Sequence, residues 1–188
     1  LAPNAPLVFA LHGSDRNATQ MRIETGYALD RLADQHGFAL VYPNGFEGNW
    51  NGCNSVGDYS ANARNIDDVG FLSALTDKLV ADIDVDPNRV FAIGVSRGGH
   101  MAFRLALEAP SRFRAVAAIA ANLPVAGNFK CRPTEEAGTS VMIMNGVRDP
   151  MNPFEGGEVR LLGLYNRGSV LSAHASAQYF TRLNGLAD

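Results

Sequence analysis

An apolar run, Arg89-Val90-Phe91-Ala92-Ile93, passes through Gly94-Val95-Ser96-Arg97-Gly98 into a helix-like stretch, Met101-Ala102-Phe103-Arg104-Leu105-Ala106-Leu107. A serine flanked by glycines at a strand-to-helix reversal constrains this chain more than any other feature. The turn is tight and strained, and glycines at 94 and 98 remove Cβ atoms that would pack against each other. Such a turn lifts the serine hydroxyl above the edge of a sheet. It also aims the first amides of the next helix at a reacting carbonyl. Ser96 is therefore a candidate nucleophile.

The remaining pattern alternates strands with helices. Leu7-Val8-Phe9-Ala10-Leu11 reads as a buried strand ended by His12-Gly13, with a polar loop from Ser14 to Gln20 after it. Ala28, Leu29, Leu32 and Ala33 recur at helical spacing, and Gly37 is placed to close that helix. Phe38-Ala39-Leu40-Val41-Tyr42 is a strand stopped by Pro43-Asn44-Gly45. A long Asn-, Gly- and Ser-rich loop runs from there to about Asn65. Leu72, Leu75, Leu79 and Ile83 predict a helix, and Asp86-Pro87-Asn88 a turn into the serine strand. Further strands are expected near 115–120 and at Val141-Met142-Ile143-Met144. A last helix is expected from near Ser169 to Leu183, with Ala173, Ala177 and Phe180 inward. This order predicts an α/β domain, a mostly parallel sheet with helices on both faces.

The chain's 188 residues, 46% of them hydrophobic, suffice for a single domain (1–188) with one substantial core. A net charge of −3 without a basic run argues against a nucleic-acid partner. No apolar stretch is long enough to span a bilayer, and no signal peptide is visible. The two cysteines, Cys53 and Cys131, form no CxxC pair, so zinc and redox centres are disfavoured and no metal is expected. Either one disulfide or two free thiols fits them. The first residue is Leu1, so the chain is read as processed, trimmed or a fragment.

Ligands in such sheets bind beyond the carboxyl ends of the strands. Leu11-His12-Gly13-Ser14 falls there, and the backbone N–H of Ser14 or a neighbour is expected to join that of Arg97 as an oxyanion donor. The alternative is a plain helix-entry turn. Asn145-Gly146-Val147-Arg148-Asp149-Pro150 follows the Val141 strand, and Asp149 is the expected acid that orients a histidine; Glu155 is a weaker substitute. The order serine, acid, histidine is that of α/β-hydrolases. After Asp149 the only histidine is His174, inside a helical pattern rather than on a loop. His12 is expected to order its turn, His100 to pack behind the serine, and His36 to sit at a helix end. None is convincing as the base. The chain is accordingly read as an α/β-hydrolase domain cut at both ends, lacking first strands and the last strand with its histidine.

These segments resemble the polyhydroxybutyrate-depolymerase-like esterases, a group that includes feruloyl and acetylxylan esterases of carbohydrate esterase family one. The resemblance rests on Leu11-His12-Gly13, Val41-Tyr42-Pro43-Asn44-Gly45, Trp50-Asn51, Asp67-Asp68-Val69-Gly70-Phe71 and Gly94-Val95-Ser96-Arg97-Gly98-Gly99. It continues through Ala121-Asn122-Leu123-Pro124, Met144-Asn145-Gly146, Asp149-Pro150 and Asn152-Pro153-Phe154-Glu155-Gly156-Gly157. It implies a secreted or periplasmic serine esterase with Ser96 as nucleophile, Asp149 as acid and no cofactor. Its substrate would be a small-molecule or polymeric ester of the polyhydroxyalkanoate, feruloyl or acetyl class. At Asp67 and Asp68 helix capping and loop anchoring are expected rather than proton transfer. The chain departs from the family in lacking the late Gly-Gly-Gly-His-type loop. Trp50 and Tyr59 are candidates to line an acyl or aryl pocket, with packing the alternative for a lone Trp. In a secreted protein Cys53 and Cys131 could clasp two loops.

Three functions are consistent with these residues. They are ester hydrolysis through an acyl-enzyme, peptidase or amidase chemistry with the same groups, and a non-catalytic hydrolase-derived domain.

Overall fold

In the computed structural model, which describes residues 1–134, 138–161 and 165–186, the chain builds a parallel sheet of five strands. In chain order the elements are β1 (Ala5–Leu11), α1 (Ala18–Glu24), α2 (Ala28–His36), β2 (Ala39–Val41), α3 (Ser60–Ala63) and α4 (Asp68–Ile83). They continue with β3 (Val85–Val95), α5 (Arg97–Glu108), β4 (Ala115–Ile119), β5 (Ser140–Met144), β6 (Gly157–Leu161), β7 (Tyr165–Val170) and α6 (Ala173–Leu183). The sheet order is β2-β1-β3-β4-β5, every neighbouring pair parallel. The serine strand β3 is central. The turns after β1, β3, β4 and β5 therefore converge on one sheet edge, as the α/β expectation required.

Helix α5 is amphipathic, with Arg97, His100, Arg104 and Glu108 along one face, and buries Met101, Ala102, Phe103, Leu105, Ala106 and Leu107. It packs on β3 and β4, and its Phe103 ring lies 5.5 Å from Phe180 of α6. Asp67 caps α4 by accepting the Gly70 N–H at 2.8 Å. Buried Asp68 accepts the Asn51 N–H at 2.6 Å, so the pair caps a helix and anchors a loop as expected. The Asp86-Pro87-Asn88 turn sits inside β3, where the pairing with β1 shifts register.

Several elements differ from the sequence expectation. The loop from Ser14 contains α1, capped by Asn17 accepting the Gln20 N–H at 3.0 Å. Only Met21 of α1 is buried, too little to make an apolar stripe visible. Helix α2 forms and ends at Gly37 (φ 70°), yet buries none of its residues. The last helix begins at Ala173, not Ser169, because Ser169 pairs with Glu158 in an antiparallel β6–β7 hairpin. Its inward residues are Ser176 and Phe180, whereas Ala177 is exposed. Ala187 and Asp188 lie outside the described residues.

Cys53 and Cys131 form a disulfide with Cα atoms 4.9 Å apart, tying the long loop to the segment after β4. The bridge closes 78 residues of sequence, a separation for which chain entropy alone predicts about 4 kcal/mol of stabilisation.

Candidate active site

Ser96 adopts φ 53°, ψ −113°, a conformation costly for a residue with a Cβ. The surrounding glycines permit it. A Cβ on Gly94 would collide with the Gly98 backbone, and one on Gly98 with the Leu11 and His12 carbonyls. Strand and helix can thus touch only where side chains are missing. Ser96 is the N-cap of α5, but its side chain makes no capping bond. Ala120, at the end of β4, is a second non-glycine residue held at positive φ beside the same cavity.

That cavity, of about 450 Å³, is lined by Gly13, Ser14, Tyr59, Ser96, Arg97, His100, Asp149 and Arg167 among others. The structure therefore brings together the serine, the His12-Gly13 turn and the acid loop. Gly13 abuts the serine turn closely enough that a Cβ there would stand 3.7 Å from Ser96 Cβ. His12 is buried and fixes this turn. Its Nε2 accepts the Gly45 N–H at 2.9 Å, so its Nδ1 carries the proton and donates to Gly13 O at 2.8 Å. Burial holds the imidazole below its ordinary pKa, consistent with that neutral tautomer.

Asp149 is held by its own loop. Its Oδ1 accepts the N–H groups of Met151 and Asn152 at 2.8 and 2.9 Å. Among the described residues no protein donor binds Oδ2, which leaves that oxygen for an imidazole N–H. The loop itself is pinned by Asn145, whose Oδ1 accepts Ala121 N–H and whose Nδ2 donates to Asn122 Oδ1. Asn122 in turn donates to Pro153 O at 3.0 Å. These asparagines belong to segments the resemblance quoted without a role. Glu155 is exposed and does not line the cavity.

Trp50 does not line the pocket for which it was a candidate. Its side chain is fully buried, and its Nε1 donates to His12 O at 3.0 Å. The indole supports the underside of the His12 turn and is not among the cavity residues. Tyr59 does line the cavity, and two guanidiniums stack on it, Arg97 at 3.8 Å and Arg167 at 4.3 Å from its centroid. The Arg97 side chain turns away from the reacting position. Its Nε donates to Trp50 O at 2.6 Å, and its terminal nitrogens donate to Asn54 and Asn62. Burial lowers its pKa to about 10, so it remains a cation at neutral pH.

None of the chain's four histidines is set as a base. His12 has committed both nitrogens. His36 and His174 are exposed and outside the cavity, the latter edge-on to Phe154. His100 reaches the cavity, but its Nδ1 is sealed and has no partner. Burial, then the Arg97 charge, pushes its pKa down to about 3, far too weak a base for neutral pH.

This has a measurable consequence. The folded state favours neutral His100, so the associated stability is complete above the ordinary value of 6.5 and is lost as pH falls toward about 3. Each pH unit in that window costs roughly 1.4 kcal/mol. Thermal unfolding of the wild type should therefore shift down by roughly 2–3 kcal/mol equivalents between pH 6.5 and 4.5. His100→Gln should flatten this slope, and parallel slopes would refute the assignment. Asp68, whose pKa burial raises, works in the opposite direction and is common to both proteins.

Comparison with known proteins extends this picture. The chain is 37% identical over 156 residues to the putative esterase NocK of Nocardia uniformis subsp. tsuyamanensis, covering 83% of this chain and 43% of NocK. It is 28% identical over 155 residues to the probable feruloyl esterase C of Aspergillus niger, covering 80% and 51%. The chain thus spans about half the length of these curated relatives. Among solved structures, the Bacillus cereus carboxylesterase superposes with a TM-score of 0.61 at 18% identity, over 98% of this chain and 75% of that one. Native pOPH gives 0.62 at 16%, over 98% and 68%. At such identities the likeness is one of fold, and it is the α/β-hydrolase arrangement. A family model described as Esterase PHB depolymerase matches residues 2–131, which take in the His12 turn, the serine elbow and both bridged cysteines, and the chain belongs to that family.

Proposed function

We propose that this chain carries the nucleophile, acid and oxyanion donors of a secreted serine esterase that works through an acyl-enzyme. The observation that carries this reading is the strained Ser96, facing one cavity together with the Gly13-Ser14 turn and Asp149. Ser96 Oγ attacks the ester carbonyl carbon, and its proton passes to an imidazole. The backbone N–H groups of Arg97 and Ser14 bind the oxyanion, where losing one donor typically costs about 3 kcal/mol. Asp149 Oδ2 orients the imidazole and stabilises its protonated form. The imidazolium then protonates the leaving alcohol, and water releases the acid by the same route. Because each histidine within the chain is committed elsewhere, lies outside the cavity or is too weak a base, the imidazole comes from outside these residues.

Feruloyl, acetyl and hydroxyalkanoate esters are the substrate class, a choice supported by the names of the relatives and the family. Secretion or a periplasmic location is supported by the disulfide, a bond that persists in oxidising compartments. The second reading is a binding domain without turnover, favoured by the absence of a placed base. Peptidase or amidase chemistry would use the same groups, but nothing in the cavity favours it.

The test is chemical rescue. With 4-nitrophenyl butyrate, free imidazole should accelerate hydrolysis by the 188-residue chain above the imidazole background, saturably, and Ser96→Ala should abolish the gain. Asp149→Asn should weaken it. Fast turnover without imidazole that is lost in Ser96→Ala would overturn the external base. No Ser96-dependent rate under any condition would favour the binding domain.

A further inference from the structure

The cavity beside Ser96 contains one cation that the rest of the site does not account for. Arg16 is paired with Glu24 at 2.7 Å, and Arg97 spends its donors on Trp50, Asn54 and Asn62. Arg167, on β7, is half-buried and lines the same cavity. Among the described residues no carboxylate or carbonyl lies within bonding distance of its guanidinium. It is nevertheless held in place, stacked on Tyr59, and its Cδ lies 3.4 Å from where a Cβ on Gly57 would stand. Tyr59 is in turn stacked by buried Arg97, so the platform under Arg167 is rigid. A preorganised, half-desolvated guanidinium with free donors is a carboxylate receptor.

Among the described residues no acidic group of the cavity lies within bonding distance of it. Asp149 Oδ1 is occupied by two backbone N–H groups, Asp15 accepts from Asn49, and Glu24 is paired with Arg16. We infer that Arg167 makes this site selective for esters that carry a carboxylate, recognised at a distance from the ester bond that Ser96 addresses. The inference rests on the cavity being the ester site. The carboxylate can belong to the acyl part, as in a monoester of a dicarboxylic acid, or to the alcohol part, as in an acylated hydroxy acid.

Binding rather than turnover tests this, using the chain with Ser96→Ala to prevent hydrolysis. Two matched pairs separate the sources: ethyl hydrogen glutarate against diethyl glutarate, and 3-acetoxybutanoate against its methyl ester. At least one anionic ester should bind about tenfold or more tightly than its neutral partner, as a charge-assisted bidentate contact implies. Arg167→Gln should remove the difference without weakening the neutral esters, and Arg167→Lys should keep part of it. Equal affinity within both pairs, or a preference that survives Arg167→Gln, would overturn the inference. If anion binding follows Arg167 while imidazole rescue fails, only the hydrolytic reading falls.

Discussion

Gly98→Ala should destabilise the protein by about 3 kcal/mol or more, the upper range for forcing a methyl into a packed site. The added Cβ would meet Leu11 O, His12 O and Leu11 C, all backbone atoms at the end of β1. Backbone cannot swing aside as the tip of a side chain can. Either the first turn of α5 lifts off the sheet or the His12 turn is displaced, and both carry proposed oxyanion donors. Gly13→Ala is the control, because its nearest neighbours, Val95 O and Ser96 Cβ, would lie at 3.6 and 3.7 Å, ordinary contact distances. That variant should stay within about 1 kcal/mol of wild type. Urea denaturation of the two variants decides the matter, and equal midpoints would show that the strand–helix approach is looser than described.

Arg97→Met should cost about 4 kcal/mol, the upper end for losing charge-assisted hydrogen bonds to two buried acceptors that then go unpaired. The substitution matches the stem but orphans the side-chain oxygens of Asn54 and Asn62 and leaves Trp50 O with only the Gly52 N–H. Each orphaned acceptor costs about 1–3 kcal/mol when no water can reach it. Tyr59 also loses a stacking partner, so the cavity wall loosens along with the core. Arg97→Lys, which can satisfy only part of this set, should fall between. Denaturation midpoints give the answer, and a Met variant as stable as wild type would mean that water replaces the guanidinium. The proposed oxyanion donor at this position is the backbone N–H, which neither substitution removes. The proposed chemistry should therefore survive per folded molecule even as the folded fraction declines.

The two predictions share a physical origin. Residue 97 contributes a backbone amide to one side of the helix start and an anchoring guanidinium to the other. The disulfide continues the anchor, since Cys53 adjoins Asn54 and Cys131 follows Lys130, whose N–H donates to Cys53 O at 2.8 Å. Loop, elbow and cross-link thus form one mechanical unit. A protein that places a strained serine above a sheet needs such support, because the strain persists only where surrounding contacts over-determine it.

Much of this organisation was legible in the residues. All five strands of the parallel sheet, the central helices and the elbow were readable, since apolar period and glycine spacing are local properties. The convergence of Ser96, His12-Gly13 and Asp149 followed from parallel topology, which sends every strand's carboxyl end to one edge. The β6–β7 hairpin went unread, although Glu158-Val159-Arg160-Leu161 alternates polar and apolar and could have signalled it.

Other features were decided only by tertiary approach. Nothing near Trp50 in the chain shows that its indole faces His12 O rather than a substrate. Nothing near Arg97 shows that its side chain belongs to the long loop, or that Tyr59 and Arg167, distant in sequence, share one stack. The protonation of His12 and His100 was equally hidden, because it depends on burial and on partners such as Gly45. Local pattern specifies backbone conformation through sterics and solvation along a few residues. Burial, protonation and the pairing of polar groups arise from segments brought together across the fold, and their energetics exist only once that packing is made.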